Sequence, residues 1–146
     1  MSAEDERYMR LAIMEARKAY EADEVPIGAI VVLNDTIVGR GYNLTERLSD
    51  VTAHAEIQAI TAAAGTLGSK YLEGCTLYVT VEPCVMCAGA MYWAKIARLV
   101  YGAHDDKYGY TQKAPDSLHP KTVVESGVLS EECADLMKNF FKNKRG

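Results

Sequence analysis

The sequence predicts an α/β fold, a three-layer sandwich in which a mixed five-stranded sheet is flanked by helices. Three observations carry this expectation. An amphipathic segment opens the chain, two β-rich runs joined by Asn34-Asp35 follow it, and strand, helix and strand then succeed one another between Cys75 and Ala103. The last arrangement implies a right-handed crossover between parallel strands, whereas the two runs joined by turn-forming residues read as an antiparallel hairpin.

From Asp5 to Ala22 apolar residues recur at Tyr8, Leu11, Ala12, Met14 or Glu15, and Ala19, a helical period with charges on the opposite face. The runs Ile27 to Leu33 and Thr36 to Tyr42 are rich in β-branched residues. "DVTAHAEIQAITAAAG" offers Asp50 and Thr52 as caps, continues through good helix formers and is expected to stop at Gly65. "CTLYVTVE" is a strand, "PCVMCAGAMYWAKI" a helix with Pro83 suited to its first turn, and "ARLVYGA" a further strand. "HDDKYGYTQKAPDSLHP" reads as a loop-rich connector or lid, "KTVVESGV" as a short fifth strand, and "SEECADLMKNFFKNK" as a capped helix ending in basic residues.

At 146 residues the chain fits one domain, 1–146, by the prior of roughly 100–200 residues each. With 49% hydrophobic and 25% charged residues it falls on the average for globular proteins, which argues against disorder and coiled coil. The opening "MSAEDERYMR" is acidic, and no apolar stretch approaches a membrane span, so a cytoplasmic location without membrane attachment is expected. In that reducing setting Cys75, Cys84, Cys87 and Cys133 are expected to be thiols or metal ligands rather than disulfides. A net charge of −4 gives no global footprint for nucleic acid, so a local patch would have to carry such binding.

The chemistry concentrates in two short segments. Cys84 and Cys87 stand at an i, i+3 spacing after Pro83, which taken alone suits a redox dithiol, half a structural zinc knuckle or half a catalytic metal site. No second Cys-x-x-Cys and no His-x₃₋₅-His partner exists in the chain; it offers "HAE", His54 to Glu56, at the start of the preceding predicted helix. If both helices flank the sheet on one side, their N-termini can converge, and their dipoles stabilise thiolates. Zinc held by two thiolates and a neutral imidazole has a net charge near zero and acidifies water less than a three-histidine site, so a nearby carboxylate is needed to take the proton. Glu56 would serve if the first helical turn lets it and His54, two residues apart, face one centre. Taken together, His-x-Glu and Pro-Cys-x-x-Cys match the zinc-deaminase pattern. Cys75 and Cys133 read as packed thiols, and His104 and His119 as solvated loop residues.

Through "EVPIGAIVV", "GYN", "TAHAEIQAI", "LYVTVEPCVMCAGAM", "LVYGAHDDK" and "GVLSEECADLMKNFF", most of the chain resembles the cytidine-deaminase-like superfamily, and within it the bacterial tRNA-specific adenosine deaminases. The resemblance implies a cytidine-deaminase-like fold, one Zn2+ per subunit held by His54, Cys84 and Cys87, and zinc-bound hydroxide attacking C6 of adenine. Inosine would form at the wobble position of a tRNA anticodon loop, with Glu56 shuttling protons to N1 and then to the departing amine. Asn43, Ile27, Ala55 and Asp105 are the positions it implies for substrate binding, Asn43 by hydrogen bonds, Ile27 as an apolar wall and Asp105 on the RNA backbone. It also implies a homodimer. The ending "ADLMKNFFKNKRG" supplies cations and aromatics, Phe140, Phe141, Lys142, Lys144 and Arg145, on which single-stranded bases could stack; packing of one phenylalanine inward is the competing use.

The stretch "YGYTQKAPDSLHPKT" departs from the commonest pattern of these deaminases, which bears on RNA recognition and not on the metal chemistry. Two other functions stay in view, a deaminase of a free nucleobase or nucleoside of the guanine or cytidine type, and a non-catalytic zinc-binding module.

Overall fold

Asn34 and Asp35 both adopt positive φ, 49° and 61°, the conformation a tight hairpin requires of its two central residues. They join β1 (Gly28–Leu33) to β2 (Thr36–Tyr42) in antiparallel register, with Gly28 opposite Tyr42. The structure, a computed structural model, describes residues 2–145, with the side chain of Arg145 outside that description. Before the hairpin lies α1 (Ala3–Glu21); after it come α2 (Ala55–Leu67), β3 (Thr76–Val81), α3 (Val85–Ala94), β4 (Arg98–Ala103), α4 (Tyr110–Lys113), β5 (Val123–Ser126) and α5 (Ser130–Arg145).

The five strands lie in the order β2-β1-β3-β4-β5; β1 is antiparallel to both its neighbours, and β3, β4 and β5 run parallel. This is the mixed sheet expected. Alternation along each strand assigns the faces: Val31, Leu77, Val79 and Leu99 pack with α2 and α3, whereas Ile30, Val32, Tyr78 and Val100 pack with α1 and α5. Burying each such Leu or Val contributes roughly 1.5–3 kcal/mol, so both layers are held mainly by apolar burial.

Two polar anchors fix the layers. Asp5, buried near the start of α1, takes a bidentate pair of bonds from Arg98 (2.8 and 2.7 Å) and one from the Tyr78 hydroxyl (2.8 Å). The Arg98 guanidinium holds the Asp5 carboxyl below its usual range despite burial. Glu24, beyond the end of α1, accepts from the backbone amides of Glu46 (3.1 Å) and Arg47 (2.7 Å), pinning the segment between β2 and α2.

Several boundaries differ from expectation. Asp50 bonds the amide and hydroxyl of Thr52 in a turn of its own, so the N-cap of α2 is His54. Gly65 lies within the helix, which ends at Gly68, where φ of 64° supplies the left-handed residue a C-cap needs. Pro83 stands outside α3, whose N-cap is Cys84. The expected connector after β4 contains the short helix α4.

A close contact between β2 and α2 places the site. At Gly39 and Gly41 of β2 any Cβ would collide with the α2 backbone, at Gly41 with the Ala55 carbonyl and the Ala59 amide. Glycine there lets the first turn of α2 sit on the sheet, bringing His54 to the edge where β1 begins and β3 ends. On the other face α5 runs from Cys133, against Gly102 of β4, to the end of α1, where Phe140 packs edge-on to Tyr20 (centroids 5.7 Å) and Lys144 pairs with Asp23 (2.7 Å).

Candidate active site

His54 and Cys84 occupy N-caps, with extended φ/ψ of −72°/155° and −75°/175°, yet neither side chain caps its helix. They turn toward each other. His54 Nδ1 lies 3.6 Å from Cys84 Sγ and 3.6 Å from Cys87 Sγ, and the three ligand atoms all fall within 4.8 Å of one another. Both helices lie on the same sheet face, so their positive ends converge on the thiols.

The donor set fits zinc. Tetrahedral zinc with N and S ligands at about 2.0 and 2.3 Å would space them about 3.6 Å apart, the separation found here. Three ligands are one fewer than a closed structural site uses, which leaves a coordination position for catalysis.

Glu56 is 4% exposed, and its charge acts on both the His54 ring and the Cys87 thiol, so it lies beside the cluster. The spacing of two residues permits this because His54 is a non-helical cap while Glu56 lies inside the first turn. Burial pushes the Glu56 pKa up to about 7, despite the opposing influence of the helix backbone and His54. A hydrogen bond with Cys87 brings the Cys84 thiol down to about 4, with His54 adding to it. The same bond, with burial, pushes Cys87 well above the ordinary thiol range. Contact with Cys84 raises His54. The lowered Cys84 and raised Cys87 belong to one interacting pair of thiols, whose protons a bound metal would displace.

Around this cluster Asn43 is buried, its Oδ1 accepting from the Thr45 amide (3.3 Å) and its backbone N–H donating to the Ile27 carbonyl (3.2 Å). Ile27 is half-buried and packs on the apolar cluster together with Cys84. Ala55 is fully buried, its methyl group in the core. Asp105 Oδ1 accepts from the amides of Lys107 (3.0 Å) and Tyr108 (2.9 Å), shaping a turn. In the tail Phe140 is buried and Phe141 exposed, Lys142 is exposed, and Lys144 is paired with Asp23; the side chain of Arg145 lies outside the described residues. Phe140 thus packs inward, as the competing use anticipates. Cys75 and Cys133 are buried free thiols. Of the two loop histidines, His104 is exposed, as expected, while approaching Glu82 (3.4 Å), and His119 is only half-exposed, lying against Tyr92 (centroids 5.1 Å). The buried carboxylates Glu24 and Glu82 were missed, although a glutamate closing the apolar strand "LYVTVE" is a legible signal for Glu82.

A mixed α/β sandwich with this cluster at two helix N-termini defines a deaminase of the zinc-binding class. Residues 2–103 match the family described as the cytidine and deoxycytidylate deaminase zinc-binding region. A tRNA-specific adenosine deaminase of Agrobacterium fabrum is 46% identical, covering 98% of this chain and 97% of the relative; that of Bacillus subtilis is 46% identical over 97% and 91%. A solved structure from work on A-to-I editing by tRNA:A34 deaminases superposes with a TM-score of 0.84 at 46% identity, covering 89% of this chain and 98% of the other. A guanine deaminase from Nitrosomonas europaea reaches a TM-score of 0.79 at 25% identity, over 92% and 83%. Within the zinc-binding deaminases, the chain belongs to the family of tRNA-specific adenosine deaminases.

Proposed function

We propose that this protein hydrolytically deaminates adenosine to inosine at the wobble position of a tRNA anticodon, releasing ammonia. The observation that carries the reading is near-full-length 46% identity to tRNA-specific adenosine deaminases, coupled to a buried Glu56 beside His54, Cys84 and Cys87. The residues act as one domain, 1–146.

His54, Cys84 and Cys87 would hold one Zn2+ per subunit. Zinc supplies a Lewis acid that makes water nucleophilic near neutral pH. Glu56 holds and moves the protons: its carboxylate takes one from water and delivers it to purine N1, then takes the second from the hydroxyl now on C6 and passes it to the departing amine, which leaves as ammonia while C6 becomes a carbonyl. Its buried environment suits exchange near neutral pH. Asn43, with Oδ1 engaged by Thr45, offers its side-chain NH₂ to the nucleoside. Ile27 forms an apolar wall against the base, and Ala55, whose methyl is in the core, offers only backbone. Asp105 lies at the RNA backbone, and Phe141 and Lys142 extend the surface on the tail.

The active form is a homodimer in the cytoplasm. Support for an interface comes from α3, whose outer face exposes Val85 (38%), Met86 (37%) and Trp93 (76%). Among the described residues no helix is long and apolar enough to cross a membrane.

The test is substrate competition. Zinc-loaded protein is incubated in parallel with a wobble-adenosine anticodon stem-loop, free guanine and free cytidine; conversion of the stem-loop alone is expected. Conversion of a free base or nucleoside without the stem-loop would replace this reading with a small-molecule deaminase, and inactivity on all three would favour a non-catalytic zinc module.

A further inference from the structure

We propose that Glu82 is a positioning residue, which locks the 104–113 segment onto the Pro83-Cys84 turn and so builds one wall of the RNA entrance; the RNA part rests on the function proposed above. Glu82 directly follows β3, two residues before Cys84, with its side chain only 1% exposed. Every donor aimed at it comes from one segment. Oε1 accepts from the Asp105 amide (3.2 Å) and approaches His104 Nδ1 (3.4 Å), and Oε2 accepts from the Thr111 amide (3.0 Å) and hydroxyl (2.7 Å).

The segment is fitted around this carboxylate. Any Cβ at Gly109 would collide with it, so only glycine lets the chain pass. Backbone contacts complete the junction: the Tyr110 amide donates to the Pro83 carbonyl (2.9 Å), and Gly109 bridges to Cys84. Asp105 and Thr111, which flank the loop, are each bonded directly to this one side chain, and the backbone contacts hold the residues between them. Both oxygens of Glu82 thus act as acceptors, Oε1 from the Asp105 amide and Oε2 from the Thr111 amide and hydroxyl.

Glutamine cannot replace it. Each oxygen receives a backbone N–H, so either orientation of the amide turns an NH₂ group against a buried donor. The segment would loosen while His54, Cys84, Cys87 and Glu56 keep their contacts.

The test uses Glu82→Gln and Thr111→Val in the zinc-loaded protein, the latter at an exposed position where folding is not at stake. For Glu82→Gln, KM and Kd for a fluorescent wobble-adenosine stem-loop are expected to rise on the order of tenfold, with kcat within about threefold. Zinc content stays at the wild-type level, and hydrogen exchange at the Asp105 and Thr111 amides accelerates. Thr111→Val should move the same quantities in the same direction by less. Unchanged KM and exchange in both variants, or a fall in kcat at constant KM, would overturn the proposal. If the wild type makes no inosine, the RNA reading fails by itself, and the exchange rates at the two amides still decide whether Glu82 clamps the segment.

Discussion

Replacing Glu56 by glutamine should make the protein more stable and almost inactive. The carboxyl is 4% exposed, and burial sets its pKa at about 7 against an ordinary 4.5. A difference of that size corresponds to roughly 3 kcal/mol at 1.36 kcal/mol per pH unit. Because the folded value is the higher, the sign is destabilising: the penalty is absent below about pH 4.5, grows between the two values and is complete above about pH 7. Glutamine fills the same space and carries no charge, so urea unfolding of metal-free protein should show Glu56→Gln more stable by a few kcal/mol at pH 8 and equal to wild type at pH 4. Zinc-loaded protein should show a smaller gap, since the cation stabilises the carboxylate. Loss of the proton carrier should lower kcat about 10²–10⁴-fold while zinc content is retained. Equal stability at pH 8, or full activity in the variant, would refute the reasoning.

Cys84→Ala leaves two of three ligands, so zinc content by atomic absorption should fall far below stoichiometric, with activity lost in parallel. In the wild type zinc should be released as pH falls, because acid protonates the thiolates and His54; a flat retention curve down to pH 4 would contradict the ligand assignment. Asp5→Asn should destabilise the fold by about 1–3 kcal/mol at pH 7. Since the native Asp5 pKa is lowered, that contribution is present above the ordinary value near 3.8 and disappears as pH falls through the native one, so the two unfolding curves should converge in acid. Phe140→Ala should lower stability by about 3–5 kcal/mol, whereas Phe141→Ala should leave it nearly unchanged and raise KM for the stem-loop.

Periodicity and turn chemistry made the sheet, four long helices and the hairpin legible, because each is specified by residues close in sequence. His54, Glu56, Cys84 and Cys87 were legible because both segments sit where strand or loop gives way to helix. Boundaries were harder. Asp50 looked like a helix cap and instead closes its own turn, and Gly65 looked like a stop because nothing local reveals that Gly68 carries the left-handed conformation. Glu24 and Glu82 escaped for a different reason: their partners lie more than twenty residues away, and only folding brings the Glu46, Arg47, Asp105 and Thr111 amides to them. Phe140 and Phe141 could not be told apart until α5 was set against Tyr20.

The most direct test of the account is mass-spectrometric detection of inosine in an anticodon stem-loop bearing a single wobble adenosine, after incubation with zinc-loaded wild-type protein and with zinc-loaded Glu56→Gln. The account predicts a gain of about one mass unit at that nucleoside, with ammonia released in equal amount, for the wild type and almost none for the variant. An unchanged stem-loop with the wild type, or equal conversion by the two proteins, would contradict it.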